Sequence, residues 1–266
     1  EMQRSLVGSE MCIRDRCRLS KSGDLLNMTE IYLKILAALA PAIILAVVMI
    51  RKDMRPEPIG WLMAAVGLGV LVGPAVLLLG YLCLPDIQAD TFMGAFLSSF
   101  VSAAIPEEGL KFAALLFLAR RCRHFDEMFD GIVYAVCIGM GFAGLENILY
   151  LFGAEDGWFA VGISRALLSV PAHYFFAIIM GAFFSLGWFD RRNRKSYLTA
   201  ALILPIIAHG LYDTLCFSMG INENLSCWIL IAFLLGFRYL RRYVKALTDS
   251  MLRMDRYGTP DRDEFA

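Results

Sequence analysis

Seven runs of apolar residues, most of them as long as a bilayer's hydrocarbon core requires, divide this chain from Ile31 onward. They are Ile31 to Ile50, Trp61 to Leu84, Phe92 to Ala119, Gly131 to Phe152, Val161 to Phe189, Tyr197 to Met219, and the shorter Cys227 to Leu240. In lipid every backbone polar group has to be satisfied inside the segment that carries it, so long runs without strand alternation predict helices. The expected fold is all-α, a polytopic transmembrane helical bundle of about seven spans. Composition agrees: 58% of the 266 residues are hydrophobic and only 19% charged, with a mean hydropathy of +0.60. Such a chain is too apolar for an ordinary water-soluble domain and takes the lipid bilayer as its solvent. A formal net charge of zero gives no reason to expect a nucleic-acid partner.

The charges fall between the runs, and their sign alternates. Arg51, Lys52 and Arg55 follow the first run, then Asp86 and Asp90, then Arg120, Arg121 and Arg123. Glu155 and Asp156 come next, followed by Arg191, Arg192, Arg194 and Lys195, then Glu223, and last Arg238, Arg241, Arg242 and Lys245. By the positive-inside rule this predicts an external N-terminus and a cytoplasmic C-terminus. Residues 241–266 then form a basic cytoplasmic tail, in which Leu240, Tyr243, Val244, Leu247 and Met251 recur at helical spacing, as on an interfacial amphipathic helix. Residues 1–27 include SLVGSEMCIRDR (Ser5 to Arg16), which resembles a translated sequencing-adapter read. Their arginines would sit on the wrong side of the membrane, so Met28 is the expected start of a single domain reaching to residue 240. The second and fourth runs are rich in glycine (Gly67, Gly69, Gly73; Gly139, Gly141, Gly144), predicting close helix packing. The seven cysteines show no metal-ligand spacing.

Charged groups inside spans cost about 2.5–3.5 kcal/mol each at mid-helix, so each one present calls for a reason. In the third run Pro106-Glu107-Glu108-Gly109-Leu110-Lys111 sets two carboxylates side by side, with Lys111 four residues after Glu107 and able to pair with it. The second carboxylate points about 100° away and needs a proton, a metal or a water-filled cavity. Pro106 is expected to interrupt the helix and restart it with both glutamates at the new N-terminus. The fourth run adds Glu146 and Asn147, near its outer end, where a carboxylate can also simply snorkel. His173 follows Pro171, and His209 precedes Asp213 by four residues, on one helical face suited to a shared metal or to a carboxylate orienting an imidazole. At about 1.5 Å of rise per residue, Glu108, His209, His173, Glu146 and Asp213 all fall within about two turns of one depth, so a shared site is expected. His124 lies in a basic loop and is given no role.

Read together, PEEGLKF (Pro106 to Phe112), FDGIVYAVCIGMGFAGLENILY (Phe129 to Tyr150), PAHYFFAIIMGAFFSLG (Pro171 to Gly187) and AHGLYD (Ala208 to Asp213) resemble the PrsW family of intramembrane proteases. That family is a branch of the superfamily containing the CAAX prenyl-protein endopeptidases and bacterial immunity-type proteases. Where prenyl endopeptidases carry FxxxH and HxxxN, this chain has Phe142 with Glu146 and His209 with Asp213, the former as in the PrsW branch. The resemblance, which includes an EExxK motif, implies a membrane-embedded endopeptidase of a prokaryotic cytoplasmic membrane. Its substrate would be a membrane-anchored protein, anti-sigma factors being the example set by the founding members. Glu107, Glu108, His173 and His209 would be catalytic, with Lys111, Glu146, Asn147 and Asp213 in support. One glutamate would activate water, while the two histidines hold a metal or stabilise the oxyanion. Whether there is a divalent metal such as zinc, with His173, His209 and Glu146 as ligands, or no cofactor, is left open. Two other readings compete: a proton-coupled transporter, disfavoured by the lack of an internal repeat, and a catalytically silent membrane scaffold.

Overall fold

The computed structural model describes residues 28–257, apart from 84, 86, 155, 156 and 220–222. The expectations placed on residues 1–27, on Asp86, Glu155 and Asp156, and on the side chains of Glu223 and Cys227 lie outside the described residues.

Every regular element among the described residues is a helix, as the apolar runs require. α1 covers Met28–Ile50 and α2 Ile59–Cys83. α3 (Phe92–Leu97) passes through a π-helical stretch, Ser98–Ala104, into α4 (Ile105–Ala119). α5 is Asp130–Gly153 and α6 is Trp158–Ser164, which runs through a second π-helical stretch, Arg165–Ser169, into α7 (Val170–Phe189). α8 is Arg194–Ser218 and α9 is Glu223–Tyr257. Among the described residues five helices are long and apolar enough to cross a membrane: α1, α2, α5, the continuous Trp158–Phe189, and α8. The run from 92 to 119 is helical throughout but carries Glu107, Glu108 and Lys111. The seventh run is the first part of the 35-residue α9.

Two helices form the centre. The apolar window of α5 is 78% buried and that of Trp158–Phe189 72%, against 22–33% for α1, α2 and α8, whose remaining apolar surface faces outward as it would toward lipid. α2 and α4 pack on one side of α5, and α8 and α9 close over α7. The contacts of α5 depend on glycine. A Cβ on Gly141 would overlap the carbonyl of Val66 in α2, and one on Gly181 in α7 would overlap the backbone at Gly131. Without side chains at these points the backbones approach closely, the device by which helices gain dispersion energy in a solvent as apolar as themselves. Gly69, Gly73 and Gly139 also face a neighbouring helix closely, whereas Gly67 has open space around it and plays no such part. α1 lies outside, with Ala38, Ala42, Ala46 and Met49 on one buried face.

The apolar stripe expected to lie on the membrane surface is turned inward instead. Val244 and Met251 are buried, with Leu240, Tyr243 and Leu247 packed beside them against the bundle core. The end of that helix is fastened by Asp255, whose two carboxylate oxygens accept the backbone N–H groups of Met128 (2.7 Å) and Phe129 (2.8 Å).

Of the three prolines that precede candidate residues, Pro106 and Pro171 sit just after a π-helical stretch, while Pro205, four residues before His209, lies inside α8. A proline in an α-helix removes one hydrogen bond and its ring strikes the carbonyl four residues back; the wider π turn relieves that clash. The N–H of Ile105 bonds to the carbonyl of Phe100, and that of Val170 to Arg165, each five residues back. The helix is therefore widened at Pro106, not broken and restarted with a free N-terminus. The extra residue in each widened turn rotates the helix beyond it, aiming Glu107, Glu108 and His173 toward the bundle interior.

Candidate active site

The first turn of α4 carries Glu107 and Glu108, and its second carries Lys111; all three are buried. The ammonium of Lys111 donates to Glu108 Oε1 at 2.8 Å and Glu107 Oε2 at 3.2 Å, and lies 3.9 Å from the centre of the Phe142 ring. The expected Glu107–Lys111 pair is thus present, but the lysine serves both carboxylates. From α8, His209 places Nδ1 3.0 Å from Glu108 Oε1 and Nε2 3.2 Å from Asp213 Oδ2. From α7, His173 places Nε2 3.0 Å from Glu146 Oε2, while Nδ1 accepts from Lys111 Nζ at 3.4 Å. The two imidazole centroids are 5.1 Å apart and perpendicular, and Phe176 stacks on His209 at 5.1 Å. All eight residues that the sequence singles out converge around this point.

The two histidines are alike on their outer side only, since Nδ1 of His173 meets the Lys111 ammonium and Nδ1 of His209 the Glu108 carboxylate. Each has a carboxylate on its outer nitrogen, Glu146 for His173 and Asp213 for His209, and each turns Nδ1 toward the centre. A carboxylate accepting one ring N–H fixes the ring's tautomer and raises the basicity of the other nitrogen, the usual support for a metal-binding or proton-transferring imidazole. One donor atom from each of Glu107, Glu108, His173 and His209 lies within 4.8 Å of the others. This nitrogen and oxygen set matches what a zinc-like divalent ion takes. Glu146 belongs outside it, behind His173, rather than among the donors. Charge points the same way: four carboxylates (Glu107, Glu108, Glu146, Asp213) face two fixed cations, Lys111 and Arg165. The deficit equals one divalent ion or two imidazolium protons.

Arg165 is not among the residues picked out by motif, although it is a lone cation within a long apolar run. It is buried, donates from Nη2 to Glu146 Oε2 and from Nε to Asn147 Oδ1, both at 2.6 Å, and lies 4.0 Å from the centre of the Tyr150 ring. Asn147 in turn donates to the carbonyl of Ala38, tying α1 to the site. Glu146 is therefore held by an arginine and a histidine and does not snorkel. The second π-helical stretch begins at Arg165 itself, so one local distortion sets both this guanidinium and His173.

A groove of about 600 Å³ opens beside the cluster, lined by Ser102, Glu107, Phe142, Glu146, Tyr150 and Val161 among others. Glu107 reaches it and Glu108 does not; Glu107 is 7% exposed and Glu108 1%. The site thus combines a reachable carboxylate, a fully enclosed one, two oriented imidazoles and an ammonium, within a mostly apolar wall. Such a constellation can take a proton from water and stabilise negative charge developing a few ångströms away.

Residues 57–238 match the family model described as PrsW family intramembrane metalloprotease. The chain is 37% identical to Protease PrsW of Geobacillus kaustophilus over 67% of its own length and 77% of the relative's. It is 34% identical to Protease PrsW of Bacillus subtilis over 82% and 97%, and 33% identical to that of Clostridioides difficile over 75% and 84%. No solved structure matches it.

Proposed function

The chain belongs to the PrsW family of intramembrane metalloproteases, and from that premise we propose that it hydrolyses a peptide bond in a membrane-anchored protein, using water activated by Glu107. The observation that carries this reading is the placement of Glu107 as the one member of the glutamate pair lining the groove, with His173 and His209 behind it.

A peptide strand entering the groove from the lipid side brings its carbonyl to the apolar wall near Phe142. Glu107 takes a proton from water; the oxygen adds to the carbonyl carbon; the ammonium of Lys111, held by Glu108 and His173, stabilises the oxyanion. Glu107 then returns the proton to the departing amine. Glu108 stays ionised between Lys111 and His209 and keeps both in place. Glu146, Asp213, Asn147 and Arg165 orient the histidines and take no proton from the substrate. The donor set fits a divalent metal, which when bound supplies Lewis-acid polarisation and a more acidic water; Glu108, His173 and His209 would hold it and leave Glu107 as the base.

The groove, with its mostly apolar lining, supports a substrate that presents an extended segment of a single-span protein. A membrane-bound anti-sigma factor, the substrate type implied by the family resemblance, is one such protein. The alternating loop charges support a reading with the end before α1 outside, the basic tail, residues 241–266, in the cytoplasm of a prokaryotic cell, and 28–240 as a seven-span protease domain; reporter fusions at each loop test this. The function itself is tested by comparing single-span membrane proteins in cells expressing wild type or Glu107→Gln. A protein that persists at full length only with the variant supports the reading, and indistinguishable membrane proteomes overturn it.

A further inference from the structure

A second group of carboxylates lies at the other end of α5, roughly 24 Å from Glu146 by helical rise. It gathers Asp53 and Glu57 from the α1–α2 loop, Glu127 and Asp130 from the entry to α5, and Asp255 from α9. Asp130 is fully buried; its Oδ2 accepts the N–H groups of Asp126 (2.9 Å) and Glu127 (2.7 Å), while its Oδ1 is buried without a hydrogen-bond partner. Asp53 is 9% exposed; its Oδ1 accepts from the N–H of Arg55 at 3.1 Å, and its Oδ2 is likewise buried and unpartnered. Glu127 lies beside them, its Oε1 2.8 Å from the Nε of Arg55. One carboxylate oxygen from each of Asp53, Glu127 and Asp130 lies within 4.8 Å of the others.

Arg55 supplies one positive charge against five carboxylates, and His124 adds a weak attraction at Glu57. Tyr134 donates its hydroxyl to Glu57. Burial pushes the carboxyls of Asp53, Glu57, Glu127 and Asp255 upward, and neighbouring carboxylates add to this for the first three. Two buried oxygens without donors, facing a third carboxylate, cost the fold a desolvation penalty that hydrogen bonds leave unrelieved.

We propose that Asp53, Glu127 and Asp130 form a binding site for a hard divalent cation of the Mg²⁺, Mn²⁺ or Ca²⁺ class, separate from the intramembrane group. The donors are all oxygen, as these ions prefer and as softer ions do not. The backbone bonds to one oxygen of each aspartate hold its other oxygen in place. Such an ion joins the α1–α2 loop to the α4–α5 loop, and through Met128 and Phe129 it steadies the segment on which Asp255 anchors α9.

The test is a Mn²⁺ titration of the full chain, purified in detergent and stripped with EDTA, followed by electron paramagnetic resonance, with Mg²⁺ and Ca²⁺ as competitors. The expected result is a bound Mn²⁺ that either competitor displaces, weakened at least tenfold in Asp53→Asn and in Asp130→Asn and retained in His209→Asn, the variant that disables the intramembrane group for any Mn²⁺ of its own. Wild type alone also decides, in case a variant fails to fold: Mg²⁺ should raise its Tm after EDTA treatment. Absence of a displaceable Mn²⁺ and of any Tm rise in wild type overturns the proposal. So does Mn²⁺ uptake that His209→Asn abolishes entirely and the aspartate variants leave intact.

Discussion

The two adjacent glutamates should fail in different ways when each is replaced by glutamine. Glu108 is 1% exposed and holds two charged or polar partners, Lys111 Nζ at 2.8 Å and His209 Nδ1 at 3.0 Å. Removing one partner of a buried ion pair costs about 3–5 kcal/mol, and the low end applies here because Glu107 remains to face Lys111. For a chain of this size about 3 kcal/mol corresponds to roughly 6–12 °C in Tm. Glu107 makes one longer bond to Lys111, at 3.2 Å, which a glutamine carbonyl can still accept, so Glu107→Gln should cost only about 1 kcal/mol. Loss of a general base, by contrast, lowers turnover about 10²–10⁴-fold. The assay pairs thermal unfolding in detergent, read by tryptophan fluorescence, with cleavage of a single-span substrate in proteoliposomes. Glu107→Gln should be nearly as stable as wild type and inactive; Glu108→Gln should unfold several degrees lower. If Glu107→Gln is the less stable of the two, or cleaves at more than a tenth of the wild-type rate, the division of roles is wrong.

The packing and the donor set have further consequences. Gly141→Ala should destabilise by about 1–3 kcal/mol, because its Cβ overlaps the Val66 carbonyl, whereas Gly67→Ala, in open space, should be neutral or slightly stabilising in the same unfolding assay. Arg165→Lys should not rescue the stability and cleavage lost in Arg165→Ala, because a single ammonium cannot serve Glu146 and Asn147 with the geometry of the guanidinium fork; Tm and rate measured for both variants check this. Treatment with a zinc chelator should stop cleavage, with activity returning on adding zinc; full activity in metal-free protein, verified by elemental analysis, would exclude a metal from the reaction.

Much of the site can be read from the sequence because charge inside an apolar run is costly and so conspicuous. Glu107, Glu108, Lys111, His173 and His209 are each visible on those grounds, and a rise of about 1.5 Å per residue puts Glu108, His173 and His209 within about two turns of one depth. The sharing of Lys111 between both carboxylates comes from i,i+3 and i,i+4 neighbours both being available, which spacing alone does not choose between. The π-helical turns at Ser98–Ala104 and Arg165–Ser169 leave no periodic signature beyond the prolines after them. Arg165 belongs to no recognised motif, although the insertion cost that marks the glutamates marks it too. Asp53, Glu127 and Asp130 are hidden for a different reason: they sit in loops or, for Asp130, at the first residue of α5, where a carboxylate reads as ordinary solvated charge. The inward face of α9 shows the limit of amphipathicity, which specifies an apolar stripe but not whether lipid or protein covers it.

A double-mutant cycle on Glu107 and His209 tests most directly whether this cluster is one catalytic unit. Cleavage of the same membrane-anchored substrate is measured for wild type, Glu107→Gln, His209→Asn and the double variant, with Tm confirming that each is folded. Groups that act together lose nearly everything at the first substitution, so the double variant should be no slower than the worse single one. Losses that multiply, or a single variant that cleaves at the wild-type rate, would contradict a shared site.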